Sequence, residues 1–282
     1  MKLVVGYLAT PGGADAVALG VRLARTIGAE LEVRLVVEAD DVTTPRVTAE
    51  KFHDIVADQT EVWLDEALKL VPEDVTARAE VVVAESVTEA LSAEAVRLDA
   101  LAIVVGGSGG GLIGRYWLGS DVDHLLHFAP VPVAVAPRGT RHSDVARVRT
   151  VTCAIGSRPG AKLLLDTAAR LSAAAGVPLR LVSLVALDAH HGPDAEVARE
   201  KAGAAIESAK ASLPSDLEVT TEVVEGASVE EAVEKLTWRD GDLLMLGSSR
   251  LAPPRRLFIG STAARILRVL DVPIVVTPRG ED

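Results

Sequence analysis

The feature that most constrains this chain is that its sequence is written twice. Residues 101–139 read LAIVVGGSGGGLIGRYWLGSDVDHLLHFAPVPVAVAPRG, and residues 243–280 read LLMLGSSRLAPPRRLFIGSTAARILRVLDVPIVVTPRG. Gly106 matches Gly247, Gly119 matches Gly260, Ser120 matches Ser261, Pro132 matches Pro273 and Arg138 matches Arg279, always 141 residues apart. A repeat at a fixed period names a structural unit before any residue is interpreted. At 282 residues the chain holds two such units, in keeping with about 100–200 residues per domain.

Within each unit short apolar runs alternate with stretches of helical periodicity. Strands are expected at residues 3–8, 31–37, 75–83, 101–105 and 131–136, with helices at 14–27, 48–70, 86–98 and 120–127. Thr10-Pro11-Gly12-Gly13 reads as a turn, and Gly28 as a helix C-cap. Ser86-Val87-Thr88-Glu89 and Ser228-Val229-Glu230-Glu231 have the spacing of capping boxes. Strand and helix in strict alternation make a parallel sheet covered on both faces, with right-handed crossovers. The fold class is therefore α/β: two tandem doubly wound parallel five-stranded sheets, Rossmann-like, spanning residues 1–140 and 148–282. The polar stretch GTRHSDVAR at 139–147 is the linker. Pro11 matches Pro159 at a spacing of 148, so the second unit is about seven residues shorter. The loss is expected in the second helix and the loop before it.

Composition narrows the function. A formal charge of −11 leaves no broad basic face, which argues against nucleic acid and against a membrane surface. No apolar run approaches the roughly 18 residues of a membrane-spanning helix, and residues 1–13 are too short for a signal peptide. A cytoplasmic protein is expected. The single cysteine, Cys153, lies in an apolar run and reads as a buried core thiol.

The glycine cluster after the fourth strand of each unit carries the chemistry. In an open parallel sheet, ligands bind beyond the carboxyl ends of strands where the strand order reverses. Successive glycine N–H groups form an anion-binding concavity. Gly119-Ser120 opens the next helix, where Ser120 is expected to cap and the helix dipole favours an anion. Neither copy has the Gly-Lys-Ser/Thr of a P-loop. Gly109-x-Gly111-x-x-Gly114 matches the dinucleotide spacing, but follows the wrong strand and is missing from the second copy. His124 and His127, near Asp121 and Asp123, read as a mixed surface helix and not as metal ligands. No Ser/His/Asp spacing or marked acid/base pair supports catalysis, and the chain reads as a non-enzyme.

The shared spacing, Gly106, two residues, Gly109, nine residues, Gly119-Ser120, followed by a Val-Pro-Val strand, resembles that of the universal stress protein family, and the resemblance covers the whole chain. It implies a bacterial stress-response module. It also implies an adenine-nucleotide site, for ATP with or without Mg²⁺, at Leu8, Ala9, Thr10, Gly106, Gly107, Gly109, Gly110, Gly119, Ser120 and Asp121. The second copy offers a degenerate site at Gly156, Ser157, Gly247, Arg250, Gly260, Ser261 and Thr262. There Arg250 replaces the second motif glycine, and Arg250, Arg255 and Arg256 could meet a phosphate by charge. Both copies depart from the family at the end of the first strand, where ATP-binding members usually carry Asp. Leu8 and Gly156 stand there. A nucleotide-free module acting through contacts with a partner protein therefore remains the alternative, and slow ATP hydrolysis a third reading. The apolar runs 131–136 and 272–277 would be bare sheet edges. In the family dimers form through this strand, so an intramolecular pseudo-dimer is expected, with a further homodimer left open.

Overall fold

The computed structural model describes residues 1–38, 49–107, 119–156, 162–187, 193–249, 252 and 256–279, with backbone alone at 49–58 and 193–194. The first half runs β1 (Lys2–Tyr7), α1 (Pro11–Ile27), β2 (Glu30–Glu38), α2 (Ala49–Lys69), β3 (Ala77–Ala84), α3 (Val87–Arg97), β4 (Ala102–Gly106), α4 (Ser120–Phe128) and β5 (Val133–Ala136). The second runs β6 (Thr150–Ala154), α5 (Lys162–Ala175), β7 (Leu179–Ala186), α6 (Pro193–Ala211), β8 (Val219–Gly226), α7 (Val229–Glu234), β9 (Asp242–Gly247), α8 (Ser261–Leu267) and β10 (Ile274–Thr277). The alternation expected from periodicity is present in both.

The strands form one sheet in the order β3-β2-β1-β4-β5-β10-β9-β6-β7-β8. All neighbours are parallel except β5 and β10, which pair antiparallel with Ile274 opposite Val135, Val275 opposite Ala134 and Val276 opposite Val133. The two five-stranded sheets thus merge into one. Alternation along these strands sends Val133, Val135, Ile274 and Val276 into the core under α3, α4, α7 and α8. Ala134, Ala136 and Val275 face the core under α1, α2 and α5. Each Val or Ile so buried contributes about 1.5–3 kcal/mol, enough to make separation of the halves costly. Both cores draw residues from both halves.

Most of the length difference lies where expected. Leu31 of β2 answers to Leu179 of β7, and Ala77 of β3 to Val219 of β8, so the spacing drops from 148 to 142 across α2 and its preceding loop.

Two local expectations are corrected. The segment read as a turn is already helix: Thr10 is the N-cap, its Oγ1 accepting from Gly13 N at 3.2 Å, and Pro11 opens α1. Proline is pre-set for that position and has no N–H to leave unpaired. Ser120 is not a cap. Gly119 holds the N-cap position of α4, with no side-chain cap hydrogen bond.

The linker is a bound strand of chain, not a loose tether. Asp15, 1% exposed on α1, accepts from Gly139 N at 3.0 Å, Arg141 N at 2.9 Å and Arg141 Nη1 at 2.9 Å. One turn and more along the same helix, Arg22 Nε donates to Val145 O at 3.1 Å and Arg22 Nη2 donates to Ser143 Oγ. Thr26 Oγ1 accepts from Val148 N at 3.0 Å. Removing Asp15 strands two backbone donors and a guanidinium, so Asp15→Ala should lower stability by about 2–4 kcal/mol in urea unfolding. A loss under about 0.5 kcal/mol would show that the linker is held by other means.

A buried charge cluster braces the first half. Arg34, 1% exposed, donates from Nε to Glu94 at 2.7 Å and from Nη2 to Glu32 at 2.9 Å. Hydrogen bonds from Arg97, and then from Arg34, lower the Glu94 carboxyl from 4.5 to about 2. A depressed carboxyl stabilises fully above its unfolded value and loses that contribution as pH falls toward its folded value. The stability difference between wild type and Glu94→Gln, measured by urea unfolding, should therefore be present at about pH 5 and largely gone by about pH 2. A difference that does not change with pH would contradict the pairing.

Candidate functional site

The strand order reverses between β1 and β4, because the chain leaves β1 for β2 and β3 on one side and returns to β4 on the other. The segment Leu8-Ala9-Thr10 follows β1, and Gly106-Gly107 closes β4, so the sequence-predicted residues from both loops meet at one place. Thr10 N donates to Leu8 O at 2.7 Å, and Ala14 N to Thr10 O at 3.1 Å, which fixes the turn into α1. The Leu8 side chain is 53% exposed, an apolar group at the lip of the crevice. Gly119, Ser120 and Asp121 start α4, with Ser120 and Asp121 exposed. Gly109 and Gly110, and Ser157 and Arg250 of the second copy, lie outside the described residues.

What the glycines permit is close approach between backbones. A β-carbon on Gly106 would overlap the Gly12 carbonyl oxygen, and one on Gly13 would overlap the Leu8 carbonyl oxygen. A β-carbon on Gly12 would lie 2.8 Å from Gly107 O. The start of α1 therefore seats directly on the end of β4. Gly107 N is also engaged, donating to Ala136 O at 3.1 Å. Of the glycine N–H groups expected to form an anion-binding concavity, that of Gly107 is taken up by the sheet, which continues the β4–β5 ladder; the N–H groups of 108–111 lie outside the described residues. Acidic residues Asp121 and Asp123 occupy the first turn of α4, a placement that favours the helix dipole and repels a bare anion.

The second copy has the same order of elements. Among the described residues, a β-carbon at Gly156 would meet nothing within 4 Å, and one at Gly247 would come to 3.4 Å from a Leu164 side-chain carbon. The neck of its loop is tied. Ser248 Oγ accepts from Phe258 N at 2.7 Å and donates to Phe258 O at 3.1 Å, while Ser249 N donates to Phe258 O at 2.8 Å. Gly260 is the N-cap of α8, whose first residues Ser261 and Thr262 are exposed. Sequence reasoning missed Ser248 and Phe258, though a serine directly after a motif glycine is a common loop-closing residue.

Arg256 is placed otherwise than the phosphate-meeting role expected of it. Its Nη1 donates to Phe128 O at 2.9 Å, at the C-terminus of α4 in the other half. Leu257 N and Ile259 N donate to Ala129 O and Leu126 O at 3.0 Å each, and the His127 and Phe258 rings meet edge-on at 5.1 Å. A cation at a helix C-terminus satisfies carbonyls that have no partner within the helix. This loop is thus part of the junction between halves. His124 packs edge-on against Phe128 at 4.7 Å, in keeping with a structural surface helix. Cys153 is fully buried, and burial pushes its thiol up to about 12, which leaves it unreactive near neutrality.

The glycine geometry makes a paired prediction. Gly106→Ala should cost more than about 3 kcal/mol, because backbone and not a movable side chain blocks the methyl group. Gly156→Ala should stay within about 1 kcal/mol. Equal thermal melting shifts for the two would show that α1 is free to back away from β4.

Comparison with known proteins agrees with the duplicated layout. The model of the universal stress protein family matches twice, over residues 1–137 and 147–278. Universal stress proteins of Mycobacterium tuberculosis and Mycobacterium bovis are each 28% identical over 294 residues, spanning 99% of this chain and 100% of theirs. A solved universal stress protein from Archaeoglobus fulgidus superposes with a TM-score of 0.69 at 17% identity, covering 99% of this chain and 98% of that one. A solved protein from Pseudomonas aeruginosa gives 0.61 at 18% identity, covering 99% and 93%. At those identities the solved structures speak for the fold alone.

Proposed function

The chain belongs to the universal stress protein family, and from that premise we propose that it is a tandem stress-response module, built to bind rather than to catalyse, that takes an adenine nucleotide such as ATP in its first half. Its working units are residues 1–140 and 148–282, and it acts in the cytoplasm. The observation that carries the reading is the start of α4 beside the β1–β4 switch point, where a glycine N-cap supplies no side chain to cover the first turn. Gly119 and Ser120 then stand where a phosphate meets helix N–H groups. Leu8, Ala9 and Thr10 wall the opposite side, with Gly106 and Gly107 between them, and Gly109 and Gly110 complete the proposed set of nucleotide-binding residues. Asp121 and Asp123 oppose a bare triphosphate by charge, so the bound species is the Mg²⁺ complex. The second copy is the weaker site, because its loop is committed to α4 of the first half through Arg256 and Leu257.

One set of observations favours the alternative of a nucleotide-free module acting on a partner protein. Leu8 is apolar and exposed where an acidic acceptor is expected, and the Gly12 carbonyl closes over Gly106.

Titration calorimetry with ATP and Mg²⁺, together with anion-exchange analysis of nucleotide released from denatured protein, separates the two. The nucleotide reading predicts one site per chain, dependence on Mg²⁺, and tightening by about 10-fold or more in Leu8→Asp, from one added charge-assisted hydrogen bond. No heat in wild type and none in Leu8→Asp would sink it in favour of protein contacts.

A further inference from the structure

The pseudo-two-fold relation between the halves generates two equivalent clefts on the side of the sheet that α1 and α5 cover. The first is filled by the linker, which lies between α1 and the turn at Asp240 and Gly241. Asp15, Arg22 and Thr26 grip it from the helix. From the other side Ser143 Oγ donates to Asp240 at 2.6 Å, and Gly241 leaves no room for a side chain, since its β-carbon would come 2.9 Å from Val145.

The second cleft has the counterparts of these residues, and no described segment of the chain fills it. Counting 148 along from α1, α5 offers Leu163 for Asp15, Arg170 for Arg22 and Ala174 for Thr26. Counting back 141, Ala100 answers to Gly241. These four line a cavity of about 840 Å³ that straddles the junction, within the usual range of small-molecule pockets. Its floor is the paired centre of the sheet, where Ala134, Val275 and Thr277 line it. Small Ala134 opposite Val275 helps to leave the space.

Two observations point to what belongs there. Thr277 is 1% exposed, and its Oγ1 has no hydrogen-bond partner among the described residues. A buried hydroxyl left without a partner is destabilising, a cost removed when a polar ligand atom meets it. The substitutions along α5 are also directional. Asp15 and Thr26, which receive peptide N–H groups from the linker, have become Leu163 and Ala174, while the cation at Arg22 is kept as Arg170. Lys162 adds positive charge to the lining, and Asp166 is the one carboxylate among its described residues. The second cleft has lost the acceptors that receive peptide N–H groups and retains the cation, which can meet an anion.

We propose that this cavity is a binding site for a small amphipathic organic anion. An aliphatic or aromatic body lies against Leu3, Leu23, Leu163 and Val275, an acidic head pairs with the cations of the lining, and one polar atom meets Thr277 Oγ1. The site is separate from the β1–β4 switch point and does not rest on the nucleotide reading.

The test is titration calorimetry of the full chain with decanoate, and with decanol as the neutral probe of the same length. Decanoate should bind one per chain, and decanol at least about 10-fold more weakly, from the loss of the charge-assisted contacts. Arg170→Ala should weaken decanoate by about 10-fold, and Thr167→Trp, which projects an indole from the lining of the cavity, should abolish binding. Thr277→Val keeps the shape and removes the unpartnered hydroxyl. It should leave thermal melting unchanged or raised and still weaken decanoate several-fold, so it reads the site without risk to the fold. Absence of decanoate binding in wild type overturns the proposal. So does equal binding of decanol, unaltered binding in Thr277→Val and Thr167→Trp, or binding of a synthetic peptide copying residues 139–148 in preference to decanoate.

Discussion

The antiparallel pairing of β5 with β10 is the constraint on which the rest of the molecule depends. Each strand is four residues long and, except for Thr277, apolar, and alone it would be the bare edge of a five-stranded sheet. An exposed edge of that kind presents unpaired backbone groups and apolar side chains to any other chain. Pairing the two edges within one chain removes both liabilities at once. It also fixes the direction of the halves: the carboxyl ends of the strands in one half lie beside the amino ends in the other. The shared cores, the docking of the loop at Arg256 on α4, and the two clefts beside α1 and α5 all follow from that reversal.

A duplicated chain with one linker cannot be symmetric, and the asymmetry has physical consequences. The linker leaves β5 and must cross to β6, so it occupies the cleft over α1. Asp15, Arg22 and Thr26 are what a helix needs to hold the linker's backbone, two acceptors and a cation. α5 has no such segment to hold in the described residues, and its matching positions have turned apolar except for the arginine. The switch points differ in a similar way. In the first half Gly12, Gly13 and Gly106 let α1 sit on the end of β4 with backbone against backbone. In the second half no described backbone lies within 4 Å of a β-carbon at Gly156 or Gly247, and Ser248 closes the loop neck through Phe258.

Much of the architecture was legible in the sequence, for reasons that can be named. The offset of 141 tied Gly106 to Gly247 and Pro132 to Pro273 and so required two like units. Strict alternation of strand and helix left little choice but parallel sheets, and the apolar runs ending each unit marked the strands that pair. Contacts between residues remote in sequence were not legible. Gly106 is read locally as a ligand-approach residue, whereas Gly12, 94 positions earlier, is what approaches it. Arg256 is read as a surface cation that could meet a phosphate, because no local pattern discloses the Phe128 carbonyl across the junction. The linker is read only as a polar break in the pattern, although Asp15, Arg22 and Thr26 fall on one face of a largely apolar helix, a sign that something polar must lie against it. The cap at Ser120 and the turn at Pro11 were missed by one or a few positions, the usual uncertainty of helix ends.

Hydrogen exchange tests the central claim most directly. If β5 and β10 form the middle of one sheet, the amides of Ala134, Val135, Val275 and Val276 should exchange only through global unfolding, as slowly as those of Val4 and Val5 in β1. Fast exchange in β5 and β10, with β1 and β6 still protected, would mean that the halves meet loosely and that the single ten-stranded sheet is not the structure in solution.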